Sequence, residues 1–151
     1  MKKFVFPLAR VLAWRRAQAT LERNRLEQIY TRQRALLERR DALRNESLQA
    51  GALAAQPGAH STPGELTSLS NFALFARQED VRLEQAARAM QQEIARQQGQ
   101  VQQAEQRCRL LEKLEGQRLT DWQAGASKEL EELASDVFLA KWPGRKRSAG
   151  G

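Results

Sequence analysis

The stretch from Leu83 to Leu111 constrains the chain most. Its apolar residues recur at alternating steps of four and three: Leu83, Ala87, Met90, Ile94, then Gln97, then Val101, Ala104, Cys108 and Leu111. Nearly everything between them is Glu, Gln or Arg, so one narrow apolar seam runs along an otherwise hydrated helix, the a/d pattern of a coiled coil. Such a helix cannot bury its seam alone. The rest of the sequence must supply something for it to pack against.

Composition agrees with long helices rather than a globular core. Aromatic residues are 6% and charged residues 28%, a mixture that with seam-type periodicity indicates coiled coil. The glycines and prolines gather mainly between 51 and 64 and after 142, leaving two long uninterrupted tracts.

In the first tract the same template reads Leu8, Leu12, Arg15, Ala19, Glu22, Leu26, Ile29, Gln33, Leu36, Arg40, Leu43. This seam is weaker, since four positions are polar, and the apolar row shifts along the helix as in a loosely supercoiled pair. Charge distribution says how the tracts meet. Residues 1–50 hold twelve Lys/Arg against five Asp/Glu, and residues 51–140 hold nine against thirteen. In this register Arg16, Arg23, Arg25, Arg32, Arg39 and Arg44 flank the first seam, while Glu84, Glu93, Glu105 and Glu112 flank the second. Opposed rows of this kind choose partner and orientation more than they stabilise, each exposed pair contributing about 0.2–1 kcal/mol.

Between the tracts lies Gln56-Pro57-Gly58-Ala59-His60-Ser61-Thr62-Pro63-Gly64. Thr62 with Glu65 three residues on forms a capping box, and Pro63 suits the first helical position. The expected fold is therefore all-α: two long helices in an antiparallel coiled-coil hairpin over residues 1–151. Helix one is expected at about 7–56, the turn at 57–62, helix two at about 63–140, and a flexible basic tail at 141–151. Helix one would then lie beside roughly 68 to 110. The remainder of helix two would project unpaired by roughly 45 Å at ~1.5 Å per residue.

Several functions are disfavoured. One cysteine and one histidine leave no zinc constellation and no Cys/His or Ser/His/Asp set. Cys108 is read as a small seam hydrophobe and His60 as a loop residue. No phosphate-cradling G-x-x-x-x-G-K-[ST] loop is present, and a two-helix hairpin has no pocket for a carboxylate pair. A non-enzymatic protein is expected, with no cofactor, metal or small-molecule substrate. The apolar run after Lys2 and Lys3 is cut by Pro7 and Arg10, too early for an export signal, and no segment reaches the roughly 20 apolar residues of a membrane span. A cytoplasmic location follows.

Two regions are too apolar for a single stripe. One is Leu66, Leu69, Phe72, Leu74 and Phe75 beside the turn. The other is Leu110, Leu111, Leu114, Leu119 and Trp122, followed by Leu130, Leu133, Val137, Phe138 and Trp142. Either these cover one another and end the coil, or they are exposed docking patches, which a two-layer fold cannot hide. The candidate partner-binding residues are Leu69, Phe72, Phe75, Leu110, Leu111, Leu114, Leu119 and Trp122.

The opening FVFPLARVLAWRR (Phe4 to Arg16), and the closing LLEKL (Leu110 to Leu114) with Leu119, Trp122 and KELEELAS (Lys128 to Ser135), resemble the terminal blocks of the flagellar type III export chaperone FliJ family. The resemblance implies a cytoplasmic antiparallel coiled coil similar to the stalk of rotary ATPases, peripheral to the inner membrane. It implies as partners the flagellar export ATPase, bound by the end bearing both termini, with the export gate membrane protein and export chaperones met by the tip. Phe72 and Phe75 match the family's aromatic tip positions, and Leu110, Leu111, Leu114 and Trp122 its terminal block. Gly116 and Gly125 depart from the pattern, each costing roughly 1 kcal/mol against Ala in a helix. The alternatives are a structural coiled coil of another secretion apparatus and a basic coiled coil that binds nucleic acid. The last needs basic residues clear of the seam, whereas here the arginines alternate with Glu22, Glu27, Glu38 and Asp41.

Overall fold

The structure, a computed structural model, is described for residues 2–56 and 62–149, with side chains to residue 141. It contains two helices, α1 (Ala9–Ala54) and α2 (Pro63–Ala149), and no strand among the described residues. The expected turn, apart from Thr62, and His60 with it lie outside the described residues. The α2 backbone stays helical to Ala149, past the residue near 140 where the sequence predicts its end.

The α2 start follows the expected capping chemistry. The Glu65 N–H donates to Thr62 Oγ1 at 3.2 Å, and the Thr62 N–H donates to Glu65 Oε2 at 3.2 Å. Two main-chain donors that a helix N-terminus leaves without partners are thus satisfied reciprocally.

The chain forms two compact units, Gln18–Ala104, and Met1–Ala17 with Glu105–Gly151. In the first, the helices run antiparallel. As α1 partners advance from Glu22 through Arg32 to Arg40 and Arg44, their α2 partners retreat from Gln97 through Glu93 to Asp80. Its buried seam comprises Ala19, Ile29 and Leu43 from α1, with Ala76, Leu83, Ile94, Val101 and Ala104 from α2. Leu36 packs against the cluster of Leu43, Ala76 and Leu83. The polar template positions Glu22, Gln33 and Arg40 are also partly buried, as is Gln97. They therefore occupy the interface that the register assigns to them, and they meet each other's kind. Gln97 Nε2 donates to the Glu22 carbonyl oxygen at 3.0 Å and also to its carboxylate. Arg40 Nε donates to Asp80 Oδ1 at 3.0 Å.

The flanking rows pair in part as expected. Arg32 reaches Glu93 at 3.9 Å, and in the other unit Arg16 reaches Glu112 at 3.3 Å. Arg25 instead binds Glu22 of its own helix at 2.9 Å, and Arg44 reaches Asp80 at 3.8 Å. Glu84 is met by the seam residue Arg40 at 3.9 Å.

In the second unit, residues 2–6 precede α1 in non-helical chain and pack back on α2 as a strap. Phe6 is buried, the Phe4 ring lies 6.0 Å from that of Trp122, and Lys2 shares a depression with Trp122, Gly125, Ala126 and Glu129. Leu12 and Cys108 are buried in this unit's seam, and Cys108 is a free thiol. The pairing runs further along α2 than expected. Within α1 itself Arg16 already reaches Glu112, past residue 110, and the strap carries the contact on to Trp122. The seam is accordingly engaged as far as Ala126, well beyond residue 110, and only from residue 127 are all α2 side chains exposed up to 141.

Candidate functional site

The eight candidate docking residues fall into three environments. Leu69 and Phe72 are half-buried and line a groove between α1 and α2 in the unit Gln18–Ala104. Phe75, three residues beyond Phe72 and about 60° around the helix from it, is 49% exposed and does not line the groove. The two phenylalanines differ in burial, Phe72 forming part of the groove wall and Phe75 standing outside it.

The groove has a volume of about 830 Å³. Its α1 wall is Leu43, Ser47, Ala50 and Gly51, and its α2 wall is Leu69, Phe72, Ala73 and Ala76. Small residues on both walls leave it unfilled. Ser47, Ala50 and Gly51 recur at three- and four-residue steps, so the α1 wall was detectable in the sequence as a small-residue stripe, although apolarity alone passes over it. Arg44, Arg77 and Asp80 stand along the rim. Asp80 accepts from Arg40 and lies near Arg44, which fixes the rim charges beside the apolar floor. The hydrogen bond that Arg40 donates to Asp80 raises the Arg40 pKa above its ordinary value, with the charges of Asp80, Glu84 and Asp41 adding to the effect. On the same stretch of α2, Arg82 donates to the Glu79 carboxylate, which holds that carboxyl below its usual range.

The terminal residues behave differently from one another. Leu111, Leu114 and Leu119 are half-buried and belong to the seam. Trp122 is 37% exposed, with one face on Phe4. Leu110 points outward at 68% exposure. Beyond them Leu130, Leu133, Val137, Phe138 and Leu139 are all more than half exposed. The first three continue the four-and-three spacing past the end of the strap. The exposed apolar side chains Leu130, Leu133, Val137 and Leu139 thus lie C-terminal to all eight candidate docking residues.

Chemically, these surfaces can take up apolar side chains framed by charges. Among the described residues no three His, Cys, Asp or Glu cluster as a metal site requires, and no helix is long and apolar enough to cross a membrane. Compared with known proteins, the chain matches no family model, and no curated protein or solved structure shows significant similarity to it.

Proposed function

We propose that this protein is a non-enzymatic adaptor of the flagellar type III export apparatus, similar to the FliJ family, binding the export ATPase and the export gate. The observation that carries it is the meeting of the two sequence blocks on which the resemblance rests. Residues from Phe4 onward and those from Leu110 to Trp122 are remote in sequence yet belong to one compact unit, with Phe4 against Trp122. A resemblance spread over two blocks that pack together is less easily produced by generic heptad composition than either block alone. The unit's free α2 end, with Leu130, Leu133 and Val137 exposed, is the surface for the ATPase in this proposal, and the Phe72 groove is the surface for the gate and for export chaperones.

Copurification tests it. The full chain is expected to form a stoichiometric complex with the flagellar export ATPase that Leu133→Asp disrupts. Absence of a complex at micromolar concentrations of both proteins, with the helical spectrum intact, overturns the assignment and leaves a structural coiled coil of another apparatus.

A further inference from the structure

The N-terminal portion of the unit Met1–Ala17 with Glu105–Gly151 has a property that pairing with α2 does not use. Residues 1–21 contain Lys2, Lys3, Arg10, Arg15 and Arg16 and no Asp or Glu. The facing stretch of α2, residues 105–126, holds four acids and four bases, so it leaves this charge uncompensated. Arg16 is tied to it by an ion pair with Glu112 at 3.3 Å.

The same region exposes apolar side chains that the seam does not need. Val5 is 74% exposed and Trp14 54%, and Val11 is also exposed. Arg10, Trp14 and Ala17 follow one another at steps of four and three, which puts them on one face of α1, turned away from the seam row Leu8, Leu12, Arg15, Ala19. The Arg15 guanidinium lies over the Trp14 ring, 4.8 Å from its centroid, a cation–π contact that keeps a positive charge beside an amphipathic ring.

We infer that residues Lys2–Ala17 form a docking surface for a bilayer containing anionic lipid, with Trp14, Val5 and Val11 entering the headgroup region and Lys2, Lys3, Arg10 and Arg15 meeting the lipid phosphates. Charge complementarity selects an anionic surface, because a cluster of four or more cations without acids is drawn to one. The exposed aliphatics select lipid over nucleic acid. Val5 and Val11 gain nothing from a phosphodiester backbone, whereas an interfacial helix buries such side chains at the acyl boundary and Trp is favoured at that depth. Each cation near an anionic surface improves partitioning roughly fivefold at moderate salt. This surface stands independently of the export assignment, since it uses the outward side of α1 and the strap.

The test is flotation of the full chain with vesicles of phosphatidylcholine alone and with ~30% phosphatidylglycerol, at ~100 mM salt, where screening still leaves surface charge effective. The chain is expected to float with the anionic vesicles only. Lys3→Gln with Arg10→Gln should weaken binding at least tenfold and Trp14→Ala at least threefold. Val5→Glu, outside the helix and unable to unfold it, should weaken binding at least tenfold. Flotation with neither vesicle, equal flotation with both, or retention of binding by the variants overturns the inference. Tighter binding of a DNA duplex at the same salt, insensitive to Val5→Glu, also overturns it in favour of a nucleic-acid surface. None of these results bears on copurification with the ATPase.

Discussion

Gln97 donates its side-chain amide to both the carbonyl oxygen and the carboxylate of Glu22. These are polar positions of two seams that are otherwise mainly apolar at this level, and each is the other's partner. A polar layer inside a coiled coil fixes register and orientation at some cost in stability.

Replacing both members by Leu should therefore raise the thermal midpoint, corresponding to ~1–3 kcal/mol by analogy with other buried polar layers. Gln97→Leu alone should lower it by ~1 kcal/mol, because Glu22 then loses a donor while part-buried. Thermal unfolding followed by circular dichroism separates the two, and light scattering on the double variant should reveal oligomers where the parent gives a single species.

Phe72 and Phe75 should answer differently to the same substitution. Phe75→Asp places a carboxylate at an exposed position and should change stability by less than about 0.5 kcal/mol. Phe72→Asp puts one into the groove between the helices and should cost about 2–3 kcal/mol. Equal melting curves for the two variants would contradict the placement of Phe72 in the groove wall.

Much of this arrangement is legible in the sequence. The nine-position seam from Leu83 to Leu111, the α1 seam from Leu12 onward down to its polar members, the capping box and the burial of Cys108 all follow from periodicity and local chemistry, whereas Leu8, expected at the head of the α1 seam, precedes the helix and is exposed. Which polar seam residue meets which does not follow, because heptad spacing fixes a face and leaves the axial offset free. The site is less legible. Leu111, Leu114 and Leu119 look like docking residues only while the partner stretch of α2 is taken to end near residue 110, and Arg16 already reaches Glu112. Val5 and Phe6 cannot be placed by a helical template, since residues 2–6 are not helical. Phe72 and Phe75 are neighbours in any apolarity count and on the helix surface, yet only Phe72 lines the groove.

Gly116→Ala should stabilise the chain by about 1 kcal/mol, since a methyl group there meets nothing within 4 Å and the backbone gains helix propensity. Gly125→Ala should do the same on the stretch beside Lys2. Chemical denaturation at constant m-value measures both. A loss of stability at Gly116 would show that the helix needs flexibility at that point.

Acid stability should depend on Glu79. The Arg82 hydrogen bond lowers its folded-state pKa, so the unfolded chain binds its proton first as pH falls. Its contribution is present above the ordinary carboxylate pKa and is lost as pH drops through the depressed value. Glu79→Gln should therefore lower the midpoint slightly at about pH 7 to 9, leave it nearly unchanged at about pH 2, and so flatten the fall in midpoint between about pH 5 and pH 3. An identical acid limb in the variant would refute the coupling.

A helix that loses a neighbouring helix must break a long seam, but a helix that loses an extended strap forfeits only a few side-chain contacts. The main-chain groups of α2 are already committed within the helix, so the strap cannot hold on through a ladder of backbone hydrogen bonds. Detachment of residues 2–6 is thus a local opening, at a free energy well below that of global unfolding. It bares Trp122 and the adjoining end of the seam while α1 and α2 stay paired. The free apolar stripe at Leu130, Leu133 and Val137 can then lengthen toward the N-terminus of α2, so the area offered to a partner is set by an equilibrium rather than fixed by the fold.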